Sequence, residues 1–169
     1  GSFHGRTMAT LTATGQDAVK THFDPLPEGF QTVPFGDLDA LAQAIDAETA
    51  AVLVEVVQGE GGVRPLGKEY ATAIQDLCRK RDILFMVDEI QTGLCRTGTF
   101  WAHQQYGLKP DVFTSAKALA NGLPMGAVLA TNEVAQGFEP GSHATTFGGG
   151  GVLAAVAAKT VELLQEEEL

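Results

Sequence analysis

Only two cysteines, Cys78 and Cys95, occur in the 169-residue chain. They offer no second pair for a four-ligand metal site, and no leader-like segment implies an oxidising compartment. Two free thiols in a reducing cytoplasm are therefore the expectation. Basic residues are scarce as well: 11 Lys and Arg stand against 21 Asp and Glu, for a net charge of −10 and a pI near 4.7. Such a surface repels a nucleic-acid backbone or an anionic membrane, which leaves small molecules and proteins as partners. No apolar run approaches the roughly 18 residues needed to span a bilayer. His4, His22, His103 and His143 lack a ligand spacing such as HExxH, so no metal is expected. Internal repeats and low-complexity linkers are absent too.

What the chain does have is 44% hydrophobic residues, enough for one core, distributed in alternating helical and strand-like patterns. "DLDALAQAID" (37–46) places Leu38, Leu41, Ala42 and Ile45 at the three-and-four spacing of an amphipathic helix. "AAVLVEVV" (50–57) is a β-branched run that fits a buried strand. "KEYATAIQDLCRKR" (68–81) is helical, with basic residues in its last turn where they favour the negative end of the dipole. "ILFMVDEI" (83–90), "DVFTSAK" (111–117) and "MGAVLAT" (125–131) are strands, and "GVLAAVAAKTVELLQEEE" (151–168) closes as a helix. Strands alternating with helices predict an α/β fold, a mostly parallel sheet sandwiched by helices and wound through right-handed crossovers.

In a parallel sheet the ligand crevice lies at the carboxyl ends of the strands. There the sequence concentrates its reactive groups: Asp88 after 83–87, Lys117 after 111–115, and Glu60 in the "QGEGG" that follows 50–57. Two adjacent carboxylates, Asp88 and Glu89, at the end of an apolar strand call for an explanation. A buried lysine amine is a nucleophile for aldehydes, and a carboxylate beneath a pyridine nitrogen keeps that nitrogen protonated, so that the ring accepts electrons. Taken alone, the same residues read first as a structural ion pair or as solvated loop charges, and only then as a reactive pair.

The wording around them is more specific. "FHGRT" (3–7), "VQGEGGV" (57–63), the stretch from "VDEIQTG" to "MGAVLAT" (87–131) and "TTFGGG" (145–150) together resemble the class III, or ornithine-type, aminotransferases, in the right order and along nearly the whole chain. Within that class, "FHGRTMATLTATGQ" with "VPFGDLDAL" looks most like the acetylornithine branch, although the 4-aminobutyrate and ornithine branches share similar segments. The resemblance implies the large domain of the aspartate aminotransferase (fold type I) architecture and pyridoxal 5'-phosphate as cofactor. It also implies a cytoplasmic homodimer that passes the terminal amine of N-acetylornithine to 2-oxoglutarate, a step of arginine biosynthesis.

Carried over residue by residue, the resemblance puts Asp88 on the pyridine nitrogen and leaves Glu89 as a structural hydrogen-bonding group. Ile90, where the family usually has valine, and Phe3 would flank the ring, and Gln91 would meet its phenolic oxygen. Lys117 would bond the cofactor aldehyde and then shuttle the substrate proton. Arg6 would fork a substrate carboxylate, and Glu60 would pair with an arginine from another part of the protein. Thr146 would bind the phosphate of the neighbouring subunit's cofactor. Without the resemblance, Phe3 and Ile90 read as core side chains, Gln91 as a cap and Arg6 as a helix-surface arginine. The chain departs from the family at Gly149–Gly151, where Gly-Asn-Pro is usual after the first glycine, at Val56, where proline is usual, and at Cys95, where glycine is common. The resemblance also implies that residues 1–169 are a partial large domain, lacking an N-terminal segment and a C-terminal small domain, and that alone they would be catalytically silent.

Overall fold

The computed structural model describes residues 1–167. An extended segment leads into α1 (Met8–Ala13), and a 3-10 turn (Asp17–Val19) and a long irregular stretch then reach α2 (Leu38–Ala44). The Asp37 carboxylate starts α2 by accepting the Ala40 N–H at 2.8 Å, which satisfies one of the unpaired donors of the first turn. There follow β1 (Ala51–Val54), β2 (Val57–Gln58), β3 (Arg64–Pro65), α3 (Lys68–Arg81), β4 (Leu84–Asp88), α4 (His103–Tyr106) and β5 (Val112–Ser115). A 3-10 turn (Lys117–Ala120), β6 (Ala127–Ala130), α5 (Asn132–Ala135) and α6 (Gly151–Glu166) complete the order.

The main sheet runs β1-β4-β5-β6, with β1 and β5 both parallel to β4. The crossovers carry α3, as predicted, and α4, a four-residue helix that the sequence pattern did not single out. β6 differs: it pairs antiparallel to β5, Ser115 opposite Ala127 and Val112 opposite Ala130. Residues 116–126 hold only a 3-10 turn, too short a connection for the crossover that a parallel return requires. The predicted strand 50–57 is also divided. After Val54 the chain bends at Val56, the Leu66 N–H donates to the Val56 carbonyl at 2.9 Å, and β2 pairs antiparallel with β3 as a separate ribbon. The closing helix ends at Glu166, while Glu168, part of its predicted span, lies outside the described residues.

Helix α3 occupies the predicted span and buries Ala71, Ile74, Gln75 and Cys78, a stripe at three-and-four spacing. Its last turn carries Arg79, Lys80 and Arg81, and Asp82 ends it in the left-handed region at φ 55°. The stripe packs with Leu41 and Ile45 near α2, and with Val52, Val54, Phe85 and Val87 on one face of the sheet. A second cluster unites Leu94, Leu119, Ala120 and Ala157, so that α6 backs the 3-10 turn at Lys117. Burial, helped by the Asp111 charge, pushes the Cys78 thiol up to about 11, as befits a packed, unreactive group.

Phe85 is 1% exposed and sits in the middle of the larger cluster. Phe85→Ala removes most of an aromatic side chain from a packed core. It is expected to lower the unfolding free energy by about 3–5 kcal/mol in urea titrations.

Candidate active site

Asp88 ends β4 with 6% of its surface exposed, and its carboxylate is held on three sides. His4 Nδ1–H donates to Oδ2 at 2.8 Å, while Oδ1 accepts the Ile90 N–H at 3.0 Å and the Thr114 hydroxyl at 3.2 Å. Strand register supplies the last of these, because Asp88 lies directly opposite Thr114. An ionised carboxylate has about four acceptor positions, so these three bonds leave Oδ2 able to accept one more hydrogen.

Glu89 has a different task. Its carboxylate, 1% exposed, accepts the Thr92 hydroxyl, the Ala102 N–H at 3.2 Å and the His103 N–H at 2.8 Å, and it meets His103 Nδ1 at 2.9 Å. It is the structural hydrogen-bonding group expected from the sequence, and it fastens the turn after β4 to the start of α4. Close packing inside that turn needs Gly93, where a Cβ would lie 2.6 Å from the Trp101 ring.

Phe3 is half-buried next to this cluster. Its N–H donates to Glu55 Oε1 at 2.8 Å, and the Arg6 guanidinium stands 5.6 Å from its ring centroid. Arg6 is exposed in the bend before α1, so neither the helix surface nor a closed carboxylate fork describes its place here. Ile90 and Gln91 are half-buried in the turn after Asp88. Gln91 lies against Gly59, whose missing Cβ leaves the room that Gln91 Oε1 occupies. The "QGEGG" loop and the "VDEIQ" strand end therefore meet, with Glu60 exposed beside the contact.

Lys117 does not fit the expectation of a buried lysine. β5 stops at Ser115, and Lys117 opens the 3-10 turn at φ 48°, exposed in an open hollow shared with Arg96, Ala118, Asn121 and Gly122. The turn carries the lysine off the sheet plane before burial can reach it, while Leu119 and Ala120 anchor the turn from below. Thr146 is likewise exposed, in the turn preceding α6, and is not gathered with the Asp88 cluster. Gly149 there adopts φ 68° and Cys95 adopts φ 63°, a conformation that suits the glycine common at the latter position in the family. The larger hollow, about 730 Å³, runs along the outer edge of β1 and touches the cluster only at His4 and Glu55.

Three contributors escaped the sequence reading. His4 was weighed only as a metal ligand, and Thr114 depends on strand register. Glu55 had a visible signal, a lone carboxylate inside the apolar run "AAVLVEVV". Burial raises its carboxyl above the usual range, helped by the Asp88 charge and opposed by the Phe3 N–H and by His4.

A mostly parallel α/β sheet with a buried carboxylate at one strand end and an amine just past the next suits a pyridoxal-phosphate-dependent transferase, the class to which the matches below assign the chain. The free acceptor position on Asp88 and the accessible Lys117 amine both fit that cofactor. Residues 1–169 match the family Aminotransferase class-III, and the chain belongs to that family, whose members depend on pyridoxal phosphate. It is 52% identical over 168 residues to the acetylornithine aminotransferase of Methanothermobacter thermautotrophicus, covering 99% of this chain and 43% of that protein. It is 49% identical to the acetylornithine aminotransferase of Halalkalibacterium halodurans, over 97% of this chain and 43% of the relative. A structure of the ornithine aminotransferase from Toxoplasma gondii, with pyridoxal phosphate at partial occupancy in its active site, superposes with a TM-score of 0.93. That pair is 36% identical over 99% of this chain and 40% of the other. The (S)-enantioselective omega-transaminase of Thermomicrobium roseum gives a TM-score of 0.89 at 35% identity, over 99% and 43% of the two chains. The chain thus spans about two fifths of the length of the curated relatives it matches.

Glu89→Leu leaves His103 and three buried donors without an acceptor and is expected to cost about 3–5 kcal/mol of stability. Glu89→Gln keeps part of the network and should cost less. Urea unfolding of both variants checks the order.

Proposed function

We propose that the protein containing this chain is an aminotransferase that passes the terminal amine of N-acetylornithine to 2-oxoglutarate. It would work as a cytoplasmic homodimer in arginine biosynthesis, with residues 1–169 forming part of its cofactor-binding large domain. The observation that carries the reading is the His4-supported Asp88 carboxylate with one acceptor position free, on the strand next to the one that leads to Lys117. The names of the relatives at 52% and 49% identity support the choice of donor. An ornithine donor is the second reading, favoured by the 0.93 TM-score to an ornithine aminotransferase. A 4-aminobutyrate donor rests on shared motifs alone.

When bound, pyridoxal phosphate supplies an electron sink conjugated to the substrate Cα. Asp88 would accept the pyridine N–H and hold that proton in place, and His4 and Thr114 fix the carboxylate's orientation. Phe3 and Ile90 would flank the ring, and Gln91 would donate to the phenolic oxygen. Lys117 would bind the cofactor aldehyde and then move the proton at the substrate Cα. Arg6 would orient a substrate carboxylate once released from Phe3, and Glu60 would offer a counter-charge to an arginine elsewhere in the protein. Thr146 would donate to the phosphate of the neighbouring subunit's cofactor.

Borohydride treatment of the full-length protein with pyridoxal phosphate is expected to fix the cofactor's mass on the peptide containing Lys117. Scattered labelling that persists in Lys117→Ala would return the chain to a catalytically silent α/β unit. Asp88→Ala should fold yet lose several kcal/mol of transition-state stabilisation, because electron withdrawal depends on the ring charge. A loss in kcat/KM below about tenfold, roughly 1.4 kcal/mol, would remove Asp88 from that role.

A further inference from the structure

The hollow beside Lys117 carries a charge pattern that none of the roles above uses. It measures about 530 Å³ and is bordered by Arg96, Lys117, Ala118, Asn121 and Gly122. Each polar side chain on that border is a cation or carries donors: a guanidinium, an ammonium and an amide. None is acidic, although the whole chain has 21 Asp and Glu against 11 Lys and Arg. Neither Arg96 nor Lys117 takes part in an ion pair among the described residues. Two cations that share a hollow without a carboxylate make it attractive to an anion.

The pair is held from the core. Leu94, two residues before Arg96, is buried in one apolar cluster with Leu119 and Ala120, which directly follow Lys117 and Ala118. The turn that presents Arg96 is closed by its own backbone, because the Gly98 N–H donates to the Cys95 carbonyl at 3.1 Å and the Cys95 N–H to the Phe100 carbonyl at 3.3 Å. Leu94, Cys95 and Lys117 adopt φ of 57°, 63° and 48°. Left-handed backbone is unfavourable for residues with a Cβ, and it gathers at ligand sites where the surrounding packing enforces it.

We propose that Arg96 is a cofactor-binding residue whose guanidinium receives the phosphate monoester of pyridoxal phosphate at Lys117. The inference rests on the pyridoxal-phosphate reading of that lysine. In this cofactor the phosphate ester hangs from the ring carbon next to the one that bears the aldehyde, so an amine that bonds the aldehyde draws the phosphate into its own surroundings. A phosphate monoester carries a charge of about −1.5 to −2 at pH 7, and the Thr146 hydroxyl assigned to it above is neutral. A planar guanidinium answers that charge with paired N–H donors matched to the phosphate oxygens. The Asn121 amide, on the same rim, can add a neutral donor.

The test is equilibrium binding of pyridoxal phosphate, and of pyridoxal, which lacks the phosphate, to the cofactor-free full-length protein. Arg96→Gln is expected to weaken pyridoxal phosphate by roughly ten- to hundredfold, the worth of one charge-assisted contact, and to leave pyridoxal unchanged. Arg96→Lys keeps the charge without the fork and should fall between. The wild-type preference for the phosphorylated ligand should also shrink with added salt more steeply than that of Arg96→Gln. Arg96 is exposed, so both variants should keep the wild-type urea midpoint. Unchanged affinity for both ligands, or an equal loss for both, would overturn the role of Arg96 while leaving Lys117 in place. Failure of borohydride to fix either ligand on Lys117 of wild type would overturn the cofactor reading and this inference together.

Discussion

The contact between His4 and Asp88 is the constraint on which the rest of the site depends. A carboxylate at the end of a buried strand is stable only if its charge is answered locally, and the answer comes from a segment 84 residues away in sequence. That segment has few apolar anchors of its own. Thr14, Glu55 and Asp88 together fix the backbone and ring of residues 3 and 4, and the Gly15 N–H adds a bond to the Ser2 carbonyl at 3.0 Å. Phe3 and Arg6 reach their places as a consequence of satisfying Asp88, not through packing of their own.

The sheet does the complementary work. Parallel pairing of β1, β4 and β5 brings Glu55, Asp88 and Lys117 to one edge, and the Asp88–Thr114 register supplies a hydroxyl no local pattern encodes. Glu89 then ties the turn after β4 to α4, so the residues following Asp88 cannot drift from the carboxylate they help to solvate. The two adjacent acids divide their functions cleanly. Asp88 retains one acceptor position, and Glu89 spends all of its capacity inward.

Much of this was legible in the sequence because it is periodic or local. The three-and-four stripe of α3 and the apolar core of β4 follow from side-chain spacing alone, and Glu89 beside a turn declares its need for donors. What escaped depends on tertiary pairing. The imidazole of His4 has no helical or strand pattern to reveal its partner, Thr114 acts through register, and the reversal at β6 follows from a connection length rather than from the apolar run itself. Glu55 was visible as a polar interruption of a strand, but its meaning needed the N-terminal segment folded against it. The lysine misled for a related reason: its strand was read two residues too far, and the positive φ of Lys117 turns the amine outward.

Lys117 and Thr146 are exposed and Thr146 stands apart from the finished Asp88 cluster, so the proposed site divides into two parts with different physical origins. The carboxylate half is closed by residues of this chain, whose hydrogen bonds and burial set its geometry before any ligand arrives. The amine half is open: the hollow around Lys117 is bordered by Arg96, Ala118, Asn121 and Gly122, and the single methyl of Ala118 is too small to shield the amine from water. Covalent chemistry at an aldehyde gains from water exclusion, so in the enzyme proposed here the cover over Lys117 must come from groups other than its neighbours in this chain. Thr146, carried on the surface ahead of α6, follows the same logic in reverse. In the homodimer proposed above, a side chain presented outward on the turn before α6 would be available to the neighbouring subunit's site.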